Sequence, residues 1–251
     1  MRTTAILNLK GGVAKTVTCV NMAAILAADY GKRVLVVDAD SQANTTEFFG
    51  GTEACASTMS DLLRGTDVNA VIRATETERI SMIAADDSLM DLDLSSVKSK
   101  EADMRCLDRL LAYHLEDFDY CLIDCPPAFN AAAAAALLAA DDVIIPIKLD
   151  AFSLRGMANL TRQVKNMQTI NPALWIAGLL PTMVYRSEKI SDALDILHMM
   201  SDFRIYPKIR KTNKVDDMTF AQRPLIESSP HSAACVDYRR FVREYTQEGR
   251  W

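Results

Sequence analysis

The feature that most constrains this chain is a glycine-rich turn near its start, Lys10-Gly11-Gly12-Val13-Ala14-Lys15-Thr16. The turn follows Thr3 to Leu9, a short apolar run typical of a buried strand. It precedes Lys15 to Ala28, where apolar residues recur at helical spacing. Glycines let backbone N–H groups approach an anion closely, and a helix N-terminus attracts one. The sequence therefore predicts a phosphate-binding loop.

The turn also carries the side chains that hold a nucleoside triphosphate. We expect Lys15 to reach the β- and γ-phosphates and the Thr16 hydroxyl to coordinate Mg²⁺. We therefore predict ATP and Mg²⁺ as cofactors and an ATP hydrolase as the activity. The predicted nucleotide-binding residues are Gly11, Gly12, Val13, Ala14, Lys15, Thr16 and Val17.

Three carboxylates follow two other predicted strands. Asp38 and Asp40 come at the end of one, and Asp124 ends another in Leu122-Ile123-Asp124. Ligands of a parallel sheet bind beyond the carboxyl ends of its strands, so these acids should meet the turn. Mg²⁺ needs only a few protein oxygens. We assign Thr16, Asp38 and Asp124 to the metal and Asp40 to the attacking water.

Apolar strand patterns alternate with helical ones along the whole chain. The predicted strands are Thr3–Leu9, Arg33–Asp38, Ile80–Ala84, Asp119–Asp124, Asp142–Ile147 and Leu174–Thr182. The predicted helices are Lys15–Ala28, Glu101–Tyr113, Ala131–Ala140, Ser153–Met167, Lys189–Met200 and Ala233–Thr246. This alternation predicts an α/β fold of three layers, with a mainly parallel central sheet flanked by helices. We expect a single domain over residues 1–251.

Composition excludes several classes of protein. No apolar run reaches the roughly 18 residues of a membrane span, and the six cysteines are scattered without metal-site spacing. The expected location is the cytoplasm. Net charge is −5, which is not that of a broadly basic nucleic-acid-binding protein. One segment differs, since five cations and no acid lie between positions 204 and 214: Arg204, Lys208, Arg210, Lys211 and Lys214, here called the basic strip.

The glycine-rich turn resembles the deviant Walker A motif of the ParA/MinD family of P-loop ATPases, and most closely that of ParA (Soj-like) partition ATPases. Lys10 is the diagnostic residue, because an ordinary P-loop does not require it. The similarity continues in segments 38–44, 119–127, 143–146, 152–156 and 209–225.

The resemblance implies a homodimer that sandwiches two nucleotides. Lys10 of one subunit would reach the phosphates bound by the other and, with Lys15 and Asp40, support hydrolysis. It further implies non-specific binding to double-stranded DNA, location on the nucleoid, and stimulation by a ParB-like protein bound at a centromere site. The implied DNA-binding residues are Arg186, Lys189, Lys211 and Lys214.

Four residues depart from the family pattern. Ala14 replaces a glycine, which would cost about 1–2 kcal/mol if the position needs a positive φ. Val17 replaces a threonine and Ser41 a proline. Arg210 replaces a proline near the adenine, which leaves recognition of the base open.

Two alternatives remain besides a partition ATPase. A MinD-like positioning ATPase would need an amphipathic membrane anchor, and the apolar stripe of segment 236–245 is the candidate, although such a stripe is more often core. The departures at Ala14 and Val17 also keep open an ATP-binding switch with little hydrolysis.

Overall fold

A seven-stranded sheet forms the centre of the computed structural model, which describes residues 1–50, 57–65, 71–98 and 103–247. The strands are β1 Arg2–Ile6, β2 Val34–Asp38, β3 Ile72–Ala74, β4 Ile80–Ile83, β5 Tyr120–Asp124, β6 Asp142–Lys148 and β7 Trp175–Thr182. Their order across the sheet is β3-β4-β2-β5-β1-β6-β7, and every pair is parallel except β3 with β4.

Helices cover both faces of the sheet. They are α1 Lys15–Tyr30, α2 Asn44–Phe48, α3 Met59–Leu63, α4 Leu94–Lys98, α5 Cys106–Tyr113, α6 Ala131–Ala139, α7 Ala151–Gln168, α8 Glu188–Met200, α9 Lys214–Ala221, α10 Leu225–Ser228 and α11 Ala233–Thr246. Helices α1 and α11 pack in the apolar cluster on one face, while α5 and α6 belong to the cluster on the other. The predicted three-layer α/β fold is confirmed.

The packing of strand β2 explains why its residues are continuously apolar rather than alternately apolar and polar. Val34 and Val36 point into the cluster beneath α1, and Leu35 and Val37 point into the opposite cluster. A parallel strand covered on both faces buries every side chain, which a continuous Val-Leu-Val-Val run satisfies.

The predicted and observed elements differ at several places, and the helices absent from the prediction are α2, α3, α4, α9 and α10. The first strand ends at Ile6 rather than Leu9, because the Asn8 side chain accepts a hydrogen bond from the Lys10 backbone and begins the turn. The antiparallel strand β3 is absent from the prediction. Helix α5 begins at Cys106, whereas the predicted helix begins at Glu101, outside the described residues.

The apolar stripe of α11 packs against the sheet. Tyr238, Phe241, Val242 and Tyr245 of that stripe are buried, and Val236 is the exposed member. The stripe is therefore core rather than a free amphipathic face. Among the described helices, none combines the length and the hydropathy needed to cross a bilayer.

Three central strands end at the same edge of the sheet. Asp124 at the end of β5 is in register with Ile6 of β1 on one side and with Asp38 of β2 on the other. The turn that follows β1 and the acids that end β2 and β5 therefore meet there.

Candidate functional site

The backbone of the glycine-rich turn alternates between left-handed and ordinary conformations, as in an anion-binding loop. Gly12 and Ala14 both have left-handed backbone conformations, with φ of 68° and 67°. Alternation of left-handed and ordinary residues turns successive N–H groups toward one side, which makes an anion-binding concavity. A Cβ built on Gly11 or Gly12 would meet no atom within 4 Å, so none of the described atoms crowds these two positions.

Helix α1 starts without a side chain to cap it. Its N-cap residue is Ala14, which makes no side-chain cap hydrogen bond. The first N–H groups of a helix have no partner inside the helix. The start of α1 therefore offers donors and a positive dipole end to an anion bound in the turn.

Lys15 lies folded back over the turn. Its side chain is largely buried, and its Nζ donates to the Lys10 carbonyl at 3.4 Å. The turn is tied to β7 by Thr182, whose Oγ1 donates to the Val13 carbonyl at 3.0 Å. A cation thus lies beside the anion-binding N–H groups on a loop held in place by the sheet.

Asp124 has one satisfied oxygen and one orphaned oxygen. Its Oδ2 accepts from the hydroxyls of Thr16 and Thr45, at 2.6 and 2.7 Å. Its Oδ1 is buried and has no hydrogen-bond partner among the described residues. A buried carboxylate oxygen without a donor is costly unless a cation or its water occupies the site. This hard-oxygen set fits Mg²⁺.

Asp38 lies fully buried beside Asp124. Its Oδ1 accepts from the Asp40 backbone, and its Oδ2 accepts from the backbone and the hydroxyl of Thr46, both at 2.8 Å. Burial first, and then the charge of Asp124, raise the pKa of Asp38 to about 7. Burial also raises the pKa of Asp124 to about 6, against the hydroxyl bonds that lower it. The two carboxyls are therefore poised to exchange a proton for a metal cation.

Asp40 is half-buried in the loop after β2. Its Oδ1 accepts from the Gln42 backbone at 3.1 Å, and its charge raises the pKa of Asp124. It thus lies near the predicted metal site without bonding to it, as a residue that orients water would.

Lys10 is engaged within its own chain. Its Nζ donates to both oxygens of Asp150, at 2.8 and 2.6 Å, just before α7. The pair is partly exposed, with side-chain exposures of 36% and 29%. Lys10 is predicted to act on a second subunit, so it would have to leave Asp150 to do so.

The four predicted DNA-binding residues lie on exposed positions at one flank of the site. Arg186 and Lys189 flank the start of α8, and Lys211 bonds through its backbone N–H to the Val184 carbonyl at 2.9 Å. Lys214 starts α9 and forms an ion pair with Asp217 at 2.8 Å. The fold therefore brings segments 184–189 and 209–214 side by side.

Several contributors to the site are missing from the sequence prediction. Thr45 and Thr46 hold Asp124 and Asp38, Asn8 shapes the turn, and Asp150 binds Lys10. The two threonines have a local signal, since adjacent hydroxyls follow the acidic loop at positions 38–40. Asp150 has none, because it is 140 residues away from Lys10.

Comparison with known proteins finds relatives that match most or all of this chain. Residues 1–176 match the protein family described as an AAA domain. The chain is 32% identical to the chromosome partitioning protein ParA of Caulobacter vibrioides, over all of this chain and 96% of that protein. It is 31% identical to the sporulation initiation inhibitor protein Soj of Bacillus subtilis, over 98% of each.

A solved structure shares the fold and was determined with a nucleotide. Cobyrinic acid a,c-diamide synthase from Mycobacterium smegmatis, with bound ADP and magnesium, superposes with a TM-score of 0.83. It is 28% identical, and the match covers 98% of this chain and 94% of that one.

Proposed function

This chain belongs to the ParA family of partition ATPases, and from that membership we propose that it works as an ATP-driven DNA-segregation switch. It dimerises on Mg-ATP, binds double-stranded DNA non-specifically, and hydrolyses ATP when a ParB-like protein at a centromere site stimulates it. The cargo is a plasmid, a mobile element or a chromosome.

One arrangement supports this proposal above the others. The uncapped start of α1 faces Asp124, whose Oδ1 lacks a partner among the described residues. Donors for an anion and acceptors for a cation therefore adjoin each other, as a magnesium–triphosphate complex requires.

The chain's own residues divide the work of binding and hydrolysis. Backbone N–H groups of residues 11–17 hold the phosphates, and Lys15 moves from the Lys10 carbonyl onto them. Thr16 and Asp124 would hold Mg²⁺, with Asp38 behind them. When bound, Mg²⁺ neutralises phosphate charge. Asp40 orients the attacking water.

In the proposed dimer, each nucleotide site gains one more positive charge from the other subunit. Lys10 exchanges Asp150 for the phosphates bound by a second copy of the chain. A positive charge delivered there stabilises negative charge that develops as the phosphoryl group is transferred. Because the lysine comes from the other subunit, the oligomeric state and the nucleotide are coupled.

The experiment that tests this proposal measures the molar mass of the purified protein by light scattering, with and without Mg-ATP. We expect ATP-dependent dimers for the wild type and more of them for Asp40→Ala, which should bind ATP but hydrolyse it slowly. Lys15→Ala is the control, since it removes a phosphate contact and should stay monomeric. A wild-type monomer indifferent to Mg-ATP would contradict the proposal.

A second candidate function is a nucleotide-binding switch with little hydrolysis. The observation that favours it is the left-handed Ala14, whose Cβ is strained in the middle of the phosphate loop. Single-turnover measurement of phosphate release separates the two candidates. Dimers that form with ATP and release no phosphate would favour the switch.

A further inference from the structure

Helix α2 follows directly on the loop that carries Asp40. The helix begins at Asn44, and the Ala43 backbone N–H donates to the Asp40 carbonyl at 2.9 Å. The next two residues, Thr45 and Thr46, are fully buried although each carries a hydroxyl. A buried hydroxyl is costly without a hydrogen-bond partner, so the partners of these two hydroxyls indicate what each threonine does.

The Thr46 hydroxyl has a role in the fold. It donates to Asp38 Oδ2 and accepts from the Ala85 backbone N–H, both at 2.8 Å. It therefore links α2 to the end of β2 and to the segment after β4. Without this hydroxyl a buried backbone donor would lose its partner, so a variant at Thr46 would report on folding first.

The Thr45 hydroxyl bonds to a single partner among the described residues, and that partner is Asp124. It donates to Asp124 Oδ2 at 2.7 Å, and the Thr16 hydroxyl donates to the same oxygen at 2.6 Å. The Thr16 bond joins two predicted metal ligands to each other. The Thr45 bond instead joins Asp124 to a helix that supplies neither ligand, so Thr45 holds the carboxylate from outside the metal site.

Bonds to Oδ2 also determine where the other oxygen of Asp124 points. The carboxyl group is planar, and its last torsion is broadly distributed when nothing restrains it. Two donors on Oδ2 therefore fix the direction of Oδ1, which is buried and lacks a hydrogen-bond partner in the described part of the chain. Hydrogen bonds to a metal-binding carboxylate orient it and strengthen its hold on the metal.

We propose that Thr45 is a positioning residue for bound magnesium, because its hydroxyl holds the Asp124 carboxylate in the orientation that leaves Oδ1 for the metal or for a water bound to it. The proposal rests on the Mg-nucleotide binding proposed above and adds a residue that acts through Asp124. It also ties the Asp40 loop to the metal site, since α2 begins where that loop ends.

The experiment measures ADP affinity by titration calorimetry at a series of Mg²⁺ concentrations and in a metal chelator. Thr45→Val keeps the branched shape of the side chain and removes the donor. We expect it to raise the Mg²⁺ concentration that gives half of the metal-dependent gain in ADP affinity by about ten-fold. ADP affinity in the chelator should not change. Thr45→Ser keeps the hydroxyl and should respond to Mg²⁺ nearly as the wild type does.

Thr4→Val is the matched control. Thr4 is also fully buried, and its hydroxyl pairs with that of Tyr245. It is in register with Asp142 at the start of β6, away from the nucleotide edge of the sheet. This variant should keep the Mg²⁺ dependence of the wild type. Urea denaturation checks that each variant is folded, and Thr45→Ala removes the same hydroxyl if the valine variant does not fold.

The outcomes separate a positioning role from a merely structural one. An unchanged Mg²⁺ dependence in folded Thr45→Val, the same shift in Thr4→Val, or an equal loss of ADP affinity in the chelator would each overturn the proposal. A wild type that binds ADP but ignores Mg²⁺ would overturn it as well. A wild type that binds no ADP under any of these conditions would instead overturn the proposed function.

Discussion

At the scale of single residues, the phosphate loop stores strain at Ala14. Its φ of 67° and ψ of 37° are those of a left-handed helix, where a Cβ crowds the following carbonyl. The same residue serves as N-cap of α1 and cannot cap it with a side chain. The chain therefore holds a strained residue at the point where N–H groups must stay free for phosphate.

Ala14→Gly should raise the free energy of unfolding by about 0.5–1 kcal/mol. Glycine relieves a strain of about 1–2 kcal/mol. It also raises the conformational entropy of the unfolded chain, which offsets part of that gain in stability. Affinity for ADP should rise as well, because the loop then adopts its bound geometry without penalty. Urea denaturation and calorimetry measure the two effects.

The same substitution in the last turn of α1 is the control. Ala28→Gly falls on an exposed helical position, where glycine should lower stability by about 0.5–1 kcal/mol. If both variants were destabilised alike, backbone strain at Ala14 would be ruled out.

At the scale of secondary-structure elements, the sequence predicts the buried strands. It does not predict short strands whose conformation depends on pairing with a neighbouring strand. Continuous apolar runs identify β2, β5 and β6, because a strand covered on both faces can hold little else. Strand β3 is only Ile72-Arg73-Ala74 and owes its conformation to pairing with β4. No local pattern could reveal it.

The residues of the candidate site likewise fall into those that the sequence predicts and those that it does not. Strand ends and loop chemistry predict that Asp38, Asp124 and Thr16 come together, and the fold does place them together. Asp150 escapes prediction, since its role depends on a contact across the tertiary fold. Periodicity carries no information about which distant side chain meets which.

Gly178 in β7 marks a close approach that only the structure reveals. A Cβ there would lie 2.8 Å from the Arg204 carbonyl and 2.8 Å from the Tyr206 ring, which is itself buried against Phe241. Gly178→Ala should therefore lower the free energy of unfolding by about 1–3 kcal/mol, as overpacking does. Thermal or urea unfolding measures it.

Gly156 in α7 offers the matched comparison. A Cβ there would meet no atom within 4 Å, so Gly156→Ala should stabilise the helix by about 0.5–1 kcal/mol. Equal effects of the two substitutions would contradict the packing described around Gly178.

At the scale of the whole molecule, charge is unevenly distributed. Two buried carboxyls meet at the nucleotide edge of the sheet, and an exposed flank beside them carries the basic strip. Parts of that strip are already paired, since Arg204 contacts Glu244 and Arg210 contacts Asp237. Lys214 is paired as well, with Asp217 three residues further along α9, and it is the proposal, rather than a lack of partners, that assigns the DNA contact to Lys211 and Lys214.

Lys211→Ala combined with Lys214→Ala should weaken binding to long double-stranded DNA. It should also flatten the salt dependence of that binding by about one unit of slope for each phosphate that is no longer neutralised. Affinity for ATP should not change. Lys32→Ala with Arg33→Ala removes the same charge before β2, at the other end of the sheet, and should leave DNA binding nearly intact. Unchanged affinity in the first variant would show that another surface binds DNA.

The buried acids also predict how metal-free protein responds to pH. The pKa values of Asp38 and Asp124 rise from 3.8 to about 7 and about 6, so the folded chain binds more protons than the unfolded one between those limits. The stability that these groups contribute is present below about pH 4 and is lost as pH rises to about 7. For each extra proton that the folded chain binds relative to the unfolded chain, the free energy of unfolding falls by about 1.4 kcal/mol per pH unit.

Urea denaturation in a metal chelator, from pH 4.5 to 7.5, checks this dependence. Asp86, Asp103 and Asp119 have lowered pKa values and titrate below this range. Burial raises the pKa of Asp142 to about 6 and raises that of Asp141 as well, so these two carboxyls add to the same slope and the effect of Asp38 is taken as the difference between wild type and variant. Asp38→Asn should flatten the slope. A wild type whose stability rises with pH across this range would contradict the assignment.

The position of β1 at the middle of the sheet has a consequence for biosynthesis. Translation produces β1 before either neighbour, since its pairing partners β5 and β6 are encoded more than a hundred residues downstream. The Tyr245 side chain, which hydrogen-bonds to Thr4 of β1, emerges later still. A nascent chain on the ribosome therefore carries β1 without a partner strand until β5 has emerged, and chaperones that shield unpaired strands can act on it during that interval.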